Sequence, residues 1–454
     1  MKRVLLWAFL AISPQMLATE TVIIEDVTVI DVQGGESKTG LSVIIRGDRI
    51  AGVVRKDEWR PAESVRVING QGKFLIPGLW DMHVHWYDGS TLSLFIANGV
   101  TGIRQMMGNP MHLTWRKMIA DGKLMGPRQY IASPIFDGPQ PIWQGSFPLD
   151  SPEKARKAVQ GVKKAGADFV KVYSLLPREV YFAIAEESKR IGIPFAGHVP
   201  MLVTVEEAVR AGQKSMEHVY GVDIATSAHQ QQHMAELAQV LASAANGREA
   251  VGVWRGKKKE ILDHHDTRKA DALFELFAAS GTWQCPTLVV LRSIAHVDNR
   301  ALTQDPNLRY VPPAMKAFWR KRETDPVRKA DYRRSLELVG KMFRAGVPLL
   351  AGTDVGNPYI APGFSIHEEL KLLVEAGLTP LAALQAATIN AARFMGRDDI
   401  GAVQVGKLAD LVLLDANPLE DIANTAKIHA VVYRGQLHQR ETLDQMLKED
   451  LQTQ

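Results

Sequence analysis

Short runs of β-branched and apolar residues, cut by turn residues, fill the chain from Thr21 to about Gly78: Thr21–Ile24, Val27–Val32, Leu41–Ile45, Ile50–Val54 and Val65–Ile68. Gly34-Gly35 and Arg46-Gly47-Asp48 supply turns, which is the pattern of an antiparallel sheet. The same texture returns after residue 400, in Ala409–Leu414 and Ala430–Tyr433, with Gly435 closing a turn. Segments at opposite ends of a chain can complete one unit, because termini often lie close together. The pattern predicts a small β-sandwich domain built from residues 19–78 and 400–440, with 441–454 as a C-terminal tail.

Over residues 79–399 strand and helix signals alternate instead. A run ending at His85 is followed by Gly99–Met106, Gln129–Ala132, Phe169–Tyr173, Phe195–His198, Ser215–Val219, Thr287–Leu291 and Leu349–Thr353. Helical patterns intervene, among them Pro152–Ala165, Arg178–Ile191, Val205–Ala211 and Asp331–Ala345. Eight strands, each followed by a helix, over roughly 310 residues predict an α/β fold of the (β/α)8, or TIM, barrel type. The polar stretch from about Asp223 to Lys269 is expected to be a helical excursion that covers the barrel mouth as a mobile lid.

Composition closes several alternatives. With 46% hydrophobic and 23% charged residues, the 454-residue chain has ordinary globular usage, which argues against wholesale disorder. Lys+Arg 54 against Asp+Glu 50 leaves a net charge of +4 with no long basic run, so nucleic acid is not an expected partner. A single cysteine, Cys285, excludes a disulfide framework and a cysteine-based zinc cluster. At the amino terminus Lys2 and Arg3 precede the apolar run Val4 to Ile12, and a short stretch then ends at Ala18. That is the order of a secretory signal peptide over residues 1–18, and it implies a secreted or periplasmic protein. The run is too short for stable membrane insertion, which needs ~20 apolar residues in a helix. Losing Lys2 and Arg3 takes the net charge from +4 to +2.

Candidate chemistry collects at the strand ends. In Asp81-Met82-His83-Val84-His85 the two histidines are two apart and share one face of a strand. Converging neutral imidazoles hold borderline cations such as zinc. Lys171 lies inside the apolar run Phe169-Val170-Lys171-Val172-Tyr173. An ammonium there is costly to desolvate unless it is paired or modified. It can snorkel past the strand end, act as a nucleophile or Schiff base, or add CO2 to become a bridging carbamate. His198 follows 27 residues later and His218 a further 20, about one βα unit each, so the three groups should face one rim. Asp354, in Gly352-Thr353-Asp354-Val355-Gly356, ends the last strand as a helix cap or as a metal ligand and general base.

The ordered set His-x-His, strand-end Lys, His, His and Gly-Thr-Asp-x-Gly resembles the amidohydrolase superfamily. Within it the chain looks most like the secreted, carboxylated-lysine branch of prolidase-like (Xaa-Pro/Xaa-Arg type) metallo-dipeptidases and amidases. Supporting pieces are Leu75-Ile76-Pro77-Gly78-Leu79, His367-Glu368-Glu369-Leu370, Ala386-Ala387-Thr388-Ile389-Asn390-Ala391-Ala392 and Gly406-Lys407-Leu408-Ala409-Asp410-Leu411-Val412. The resemblance implies two divalent metal ions, most simply zinc. It gives His83, His85 and Asp354 to the more buried ion and His198 and His218 to the more exposed one, with carboxylated Lys171 bridging both. Arg104-Gln105 stands where the family often has Arg-Asp, and Gly-His-Val-Pro surrounds His198 in place of His-x-His-Gly.

The remaining histidines read blandly: His229 with His233, and His264 with His265, are expected on solvated helix faces. So is the basic patch Arg255 to Lys259. Tyr220, two residues beyond His218, either packs or polarises a scissile carbonyl. The expected reaction is hydrolysis of an amide bond in a small molecule or dipeptide by metal-activated hydroxide, with Asp354 passing the proton to the leaving group. A lactonase or esterase using the same groups is the alternative, and a catalytically inactive binding scaffold a more distant one. The composition admits a homo-oligomer. The signal makes one prediction: amino-terminal sequencing of the exported protein will find a chain beginning near Thr19, and retention of Met1 would refute cleavage.

Overall fold

The computed structural model describes residues 21–58, 65–317, 319 and 323–453, so the signal peptide expected over 1–18 lies outside the described residues. Five strands lead the chain: β1 (Thr21–Asp31), β2 (Glu36–Arg46), β3 (Arg49–Arg55), β4 (Arg66–Asn69) and β5 (Phe74–Pro77). The next eight are β6 (Leu79–Val84), β7 (Val100–Gln105), β8 (Arg128–Asp137), β9 (Phe147–Pro148), β10 (Phe169–Val172), β11 (Phe195–Gly197), β12 (Ser215–Glu217) and β13 (Trp283–Cys285). Near the carboxyl end come β14 (Leu411–Leu414), β15 (Ile428–Tyr433) and β16 (Gln436–Gln439).

The two ends of the chain do form one sheet, ordered β16-β15-β14-β5-β1-β2-β3 with β4 also on β1. Two of its ladders are parallel, which corrects the purely antiparallel expectation. Register shifts between Ile24 and Val29 bend β1, so its first half pairs with β4 (Val22↔Arg66) and its second with β5 (Thr28↔Phe74). The returning strands alternate between two cores. Leu411, Leu413, Ala430 and Val432 join Val22, Ile24 and Val43 inside the sheet, while Val412, Leu414, Val431 and Tyr433 join the barrel core.

The second sheet runs β6-β7-β8-β10-β11-β12-β13 in parallel, with β9 attached to β8. Residues 349–355 supply the eighth position through bridges from Gln284 to Leu349 and from Val84 to Val355, which close the barrel. Met82 N donates to Ala351 O at 2.9 Å and Leu350 N to Gln284 O at 2.9 Å across those seams. The expected strand Thr287–Leu291 is instead the start of a helix, Leu288–Ala295, and the strand is β13. Val289 and Val290 look β-like locally, but Glu369 accepts hydrogen bonds from Leu288 N (3.0 Å) and Val289 N (2.7 Å), satisfying the free donors of a helix start.

The stretch 223–269 is helical, in the segments Val222–Ala225, Gln230–Ser243, Gly247–Gly256 and Lys258–Asp263, before Thr267–Ser280. Leu237, Trp254 and Ile261 pack with Met201 and Leu175, residues just past β11 and β10, which seats the insertion on the carboxyl rim of the barrel. Arg248 donates to Ile142 O at 2.7 Å and so ties it to the loop beyond β8. Of the expected tail 441–454, residues 441–453 lie within a helix, Arg440–Thr453, that buries Leu443 and bonds Ser93 Oγ through Asp450 (3.1 Å). Among the described residues no helix is long and apolar enough to cross a membrane.

Asp410 fastens sheet to barrel. Its carboxylate accepts from Arg128 Nε (2.5 Å) and Nη2 (3.2 Å) on β8 and from Arg434 N (3.0 Å), while its carbonyl accepts Gly78 N (2.7 Å) at the β5–β6 junction. Removing a mostly buried carboxylate strands its cationic partner. Asp410→Ala is therefore expected to lower stability by about 2 kcal/mol in denaturant titration, and a change under ~0.5 kcal/mol would show the clamp to be idle.

Candidate active site

Four imidazoles, a lysine and a carboxylate meet at the carboxyl rim of the barrel. His83 and His85 come from the end of β6 and lie 5.3 Å apart between ring centroids. His218 brings its ring to 4.6 Å from that of His83 and 5.0 Å from that of His198. Asp354 Oδ1 lies 3.5 Å from His83 Nε2 and 3.3 Å from His85 Nε2, and Oδ2 lies 3.9 Å from His218 Nδ1. Lys171 is fully buried on β10, and its Nζ has no hydrogen-bond partner. Every residue expected to carry the chemistry is thus brought to one place, with Tyr220 stacked on His198 at 4.9 Å.

Backbone strain concentrates here. His218, Val219, Thr287 and Asp354 all have positive φ, at 63°, 57°, 48° and 57°, which is costly for residues with a Cβ. The left-handed turn at His218 lets two consecutive side chains reach the same target. Glu217 Oε2 accepts a hydrogen bond from His83 Nδ1 at 2.8 Å while the His218 ring lies against the other side of His83. Gly352 leaves the needed clearance, since a Cβ there would sit 2.6 Å from Cys285 Sγ and 2.8 Å from His83 Cβ.

Burial, followed by the Lys171 charge, holds the pKa of His83, His198 and His218 well below the ordinary histidine range and that of His85 at about 3. All four rings are therefore neutral at physiological pH. Burial also lowers Lys171 to about 8, against the raising influence of Glu217 and Asp354. Asp354 is pushed up to about 8 by burial, opposed by Lys171. The Tyr220 phenol is raised by burial and so stays protonated, a donor for an acceptor oxygen.

The sequence reading missed the groups that aim these side chains. Glu217 is buried, and it accepts from Arg104 Nη2 (2.8 Å) and Ser215 Oγ (2.5 Å) as well as from His83. Donation from Nδ1 leaves the His83 Nε2 lone pair facing Asp354. Ser174 Oγ lies 2.9 Å from His198 Nδ1, and Thr287 Oγ1 lies 2.6 Å from His218 Nδ1. Asp81 binds Thr353 through both its hydroxyl (2.6 Å) and its amide (2.9 Å), fixing the strand end that carries Asp354. A run of polar residues on barrel strands, Arg104, Ser215 and Glu217, was the available signal. The unpartnered His83 Nε2 and Lys171 Nζ, both buried, are what a cation or a modification would satisfy. One ligand atom each from His83, His218 and Asp354 lies within 4.8 Å of the others, so the donor set fits a divalent metal.

The solvated face expected for the other histidines is corrected in part: His233 is completely buried and His264 and His265 are half-buried, leaving His229 exposed. The basic patch divides as well. Arg255 and Lys259 are exposed, but Lys258 is drawn in between Asp223 (2.7 Å) and Asp331 (3.0 Å).

A closed parallel barrel whose rim gathers four neutral imidazoles, a buried lysine and a carboxylate defines a metal-dependent hydrolase. Residues 74–437 match the amidohydrolase family, and the chain belongs to that family. It is 25% identical to an ochratoxinase of Aspergillus niger, over 86% of this chain and 80% of that one. Among solved structures, a bottromycin amidohydrolase superposes with TM-score 0.77 at 27% identity, covering 98% of this chain and 94% of the other. A prolidase from Bifidobacterium longum, described as putative in its own structure, superposes with TM-score 0.65 at 22% identity, covering 95% and 99%, a likeness of fold.

Glu217→Gln keeps the shape but removes the charge between Arg104 and His83. Chelator competition should show metal affinity reduced by about 10–100-fold, and unchanged affinity would mean that Glu217 only fills space.

Proposed function

We propose that the protein hydrolyses an amide bond of a small molecule or dipeptide, using two divalent cations and a carboxylated Lys171. The observation that carries this reading is Lys171 Nζ, buried without a partner among four neutral imidazoles and Asp354. A bare ammonium beside two cations would add repulsion to its desolvation cost. With its pKa lowered to about 8, the amine has a usable unprotonated fraction near neutral pH. Its nitrogen can bond to CO2 with release of one proton, giving a carbamate anion whose oxygens would be available to divalent cations.

In this reading His83, His85 and Asp354 would hold the inner cation, and His198 and His218 the outer one. Two cations so held supply an acidified water nucleophile and polarisation of the substrate carbonyl. The chain does the rest. Tyr220 donates its phenolic proton as a hydrogen bond to the carbonyl oxygen, and its stacking on His198 holds its ring at the rim. Asp354 accepts the proton released by the attacking water and delivers it to the leaving nitrogen. An amine leaving group needs that proton more than an alkoxide does, which favours amides over lactones and esters. The matched ochratoxinase and bottromycin amidohydrolase support a hydrolase of this kind. Zinc suits the nitrogen-rich donor set. The Lys2-Arg3 and Val4 to Ile12 order supports action after export.

The test is metal stoichiometry and hydrolysis of dipeptides, N-acyl amino acids and lactones by wild type and Lys171→Ala. The Ala variant should lose bimetallic binding and more activity than the ~10–100-fold typical of outer-shell changes, with formate or acetate restoring part of it. Lys171→Arg should not be rescued, because guanidinium keeps its charge and takes up no CO2. Two metals and full activity in Lys171→Ala would overturn the bridging role, and faster turnover of lactones than amides would overturn the substrate class.

A further inference from the structure

The insertion on the barrel rim contains a second gathering of metal-type donors that shares no residue with the barrel site. His229 caps the helix Gln230–Ser243, His233 lies in its first turn and Glu236 about one turn further on. Glu260 lies in the helix Lys258–Asp263, and His264 follows at its end. Packing of Leu237 with Ile261 holds the two helices together. The rings of His229 and His264 approach to 4.0 Å, and His233 lies 5.7 Å from His264.

His233 is the informative member. It is wholly buried, and neither of its ring nitrogens has a hydrogen-bond partner, nor has the buried Nδ1 of His264. A buried imidazole with both nitrogens unbonded is expensive, and native interiors fill such positions with water or an ion. One ligand atom each from His233, Glu236 and Glu260 lies within 4.8 Å of the others. His233 makes no ion pair with either carboxylate, as a simple His–Glu contact would require. Bonds of about 2.0–2.2 Å set the donors of a tetrahedral zinc-type site roughly 3.5 Å apart, so modest side-chain shifts within this spacing bring the three onto one ion. The spacing also suits the helices: i,i+3 for His233 and Glu236 and i,i+4 for Glu260 and His264 place each pair on one face. Burial lowers the His233 pKa from its ordinary value.

We propose that His233, Glu236, Glu260 and His264 form a second metal site for a zinc-type divalent cation, which clips the two insertion helices together. Nitrogen and carboxylate donors in this number match that class of ion. Lys257, whose ammonium lies 2.7 Å from Glu236 and 3.7 Å from Glu260, neutralises the carboxylates when the cation is absent. Its side chain is 38% exposed, so it can move outward when the cation enters. The role is structural, since all donors belong to the insertion.

The experiment uses the full chain stripped with chelator and titrated with Zn²⁺, then with Co²⁺ for its visible spectrum. Wild type should take up one more equivalent than His233→Leu, and bound metal should slow proteolysis within 230–264 by about tenfold or more in wild type only. Glu260→Gln, a half-buried change that the fold tolerates more easily, should reproduce both losses. Equal metal uptake by wild type and both variants, or insertion proteolysis indifferent to Zn²⁺ in wild type, would overturn the proposal. The outcome is separable from the barrel reading. If Lys171→Ala empties the barrel, one equivalent should still bind and should vanish in Lys171→Ala/His233→Leu.

Discussion

Burial of the Lys171 amine at the barrel axis governs how the surrounding residues are arranged. Burial first, and then the positive charge of the unmodified amine, depress the imidazoles of His83, His198 and His218, and only Glu217 and Asp354 among its neighbouring carboxylates offset that charge. Arg104, also fully buried, adds to the excess even though it pairs with Glu217. The carboxylate of Glu217 therefore has two duties, as counter-ion to the guanidinium and as acceptor for His83. Removing either partner would leave a charge in a medium of low polarisability, where uncompensated ions are strongly destabilising. Charge balance and ligand orientation come from the same atoms.

The second constraint is backbone strain. Left-handed φ at His218 and Asp354 is not relieved by glycine, so the surrounding contacts must hold it. Thr287, itself at φ 48°, anchors His218 through its hydroxyl, and Asp81 anchors Thr353 beside Asp354. These supports come from strands far apart in sequence, so the site depends on a closed barrel. The bridges at Gln284 to Leu349 and Val84 to Val355 accordingly matter for chemistry as well as for stability.

Much of this was legible from residue order. Strand-end histidines spaced by one βα unit identify a shared rim because the barrel repeat fixes where each strand end falls. The β texture that returns in Ala409–Leu414 and Ala430–Tyr433 marks a sheet shared by both ends of the chain. What escaped reading is long-range. Glu217 and Arg104 are separated by 113 residues, and no local pattern announces their pairing. The stretch Thr287–Leu291 reads as strand because Val289 and Val290 favour it, but a carboxylate 80 residues away selects helix. His233 looked solvated because an i,i+4 pair on one helix says nothing of the helix that packs over it.

The interleaving of β14 between β5 and β15 has a kinetic consequence. The first five strands are synthesised early, yet the edge of β5 that faces Leu411–Leu414 has no partner until the last fifty or so residues exist. Until then the nascent chain carries an open, apolar strand edge of the kind that recruits other chains. Contacts of this sequence separation also make late closure slow. Whatever escorts the chain before its carboxyl end emerges must shield β5, and truncation near residue 410 should be far more damaging to solubility than its short length implies.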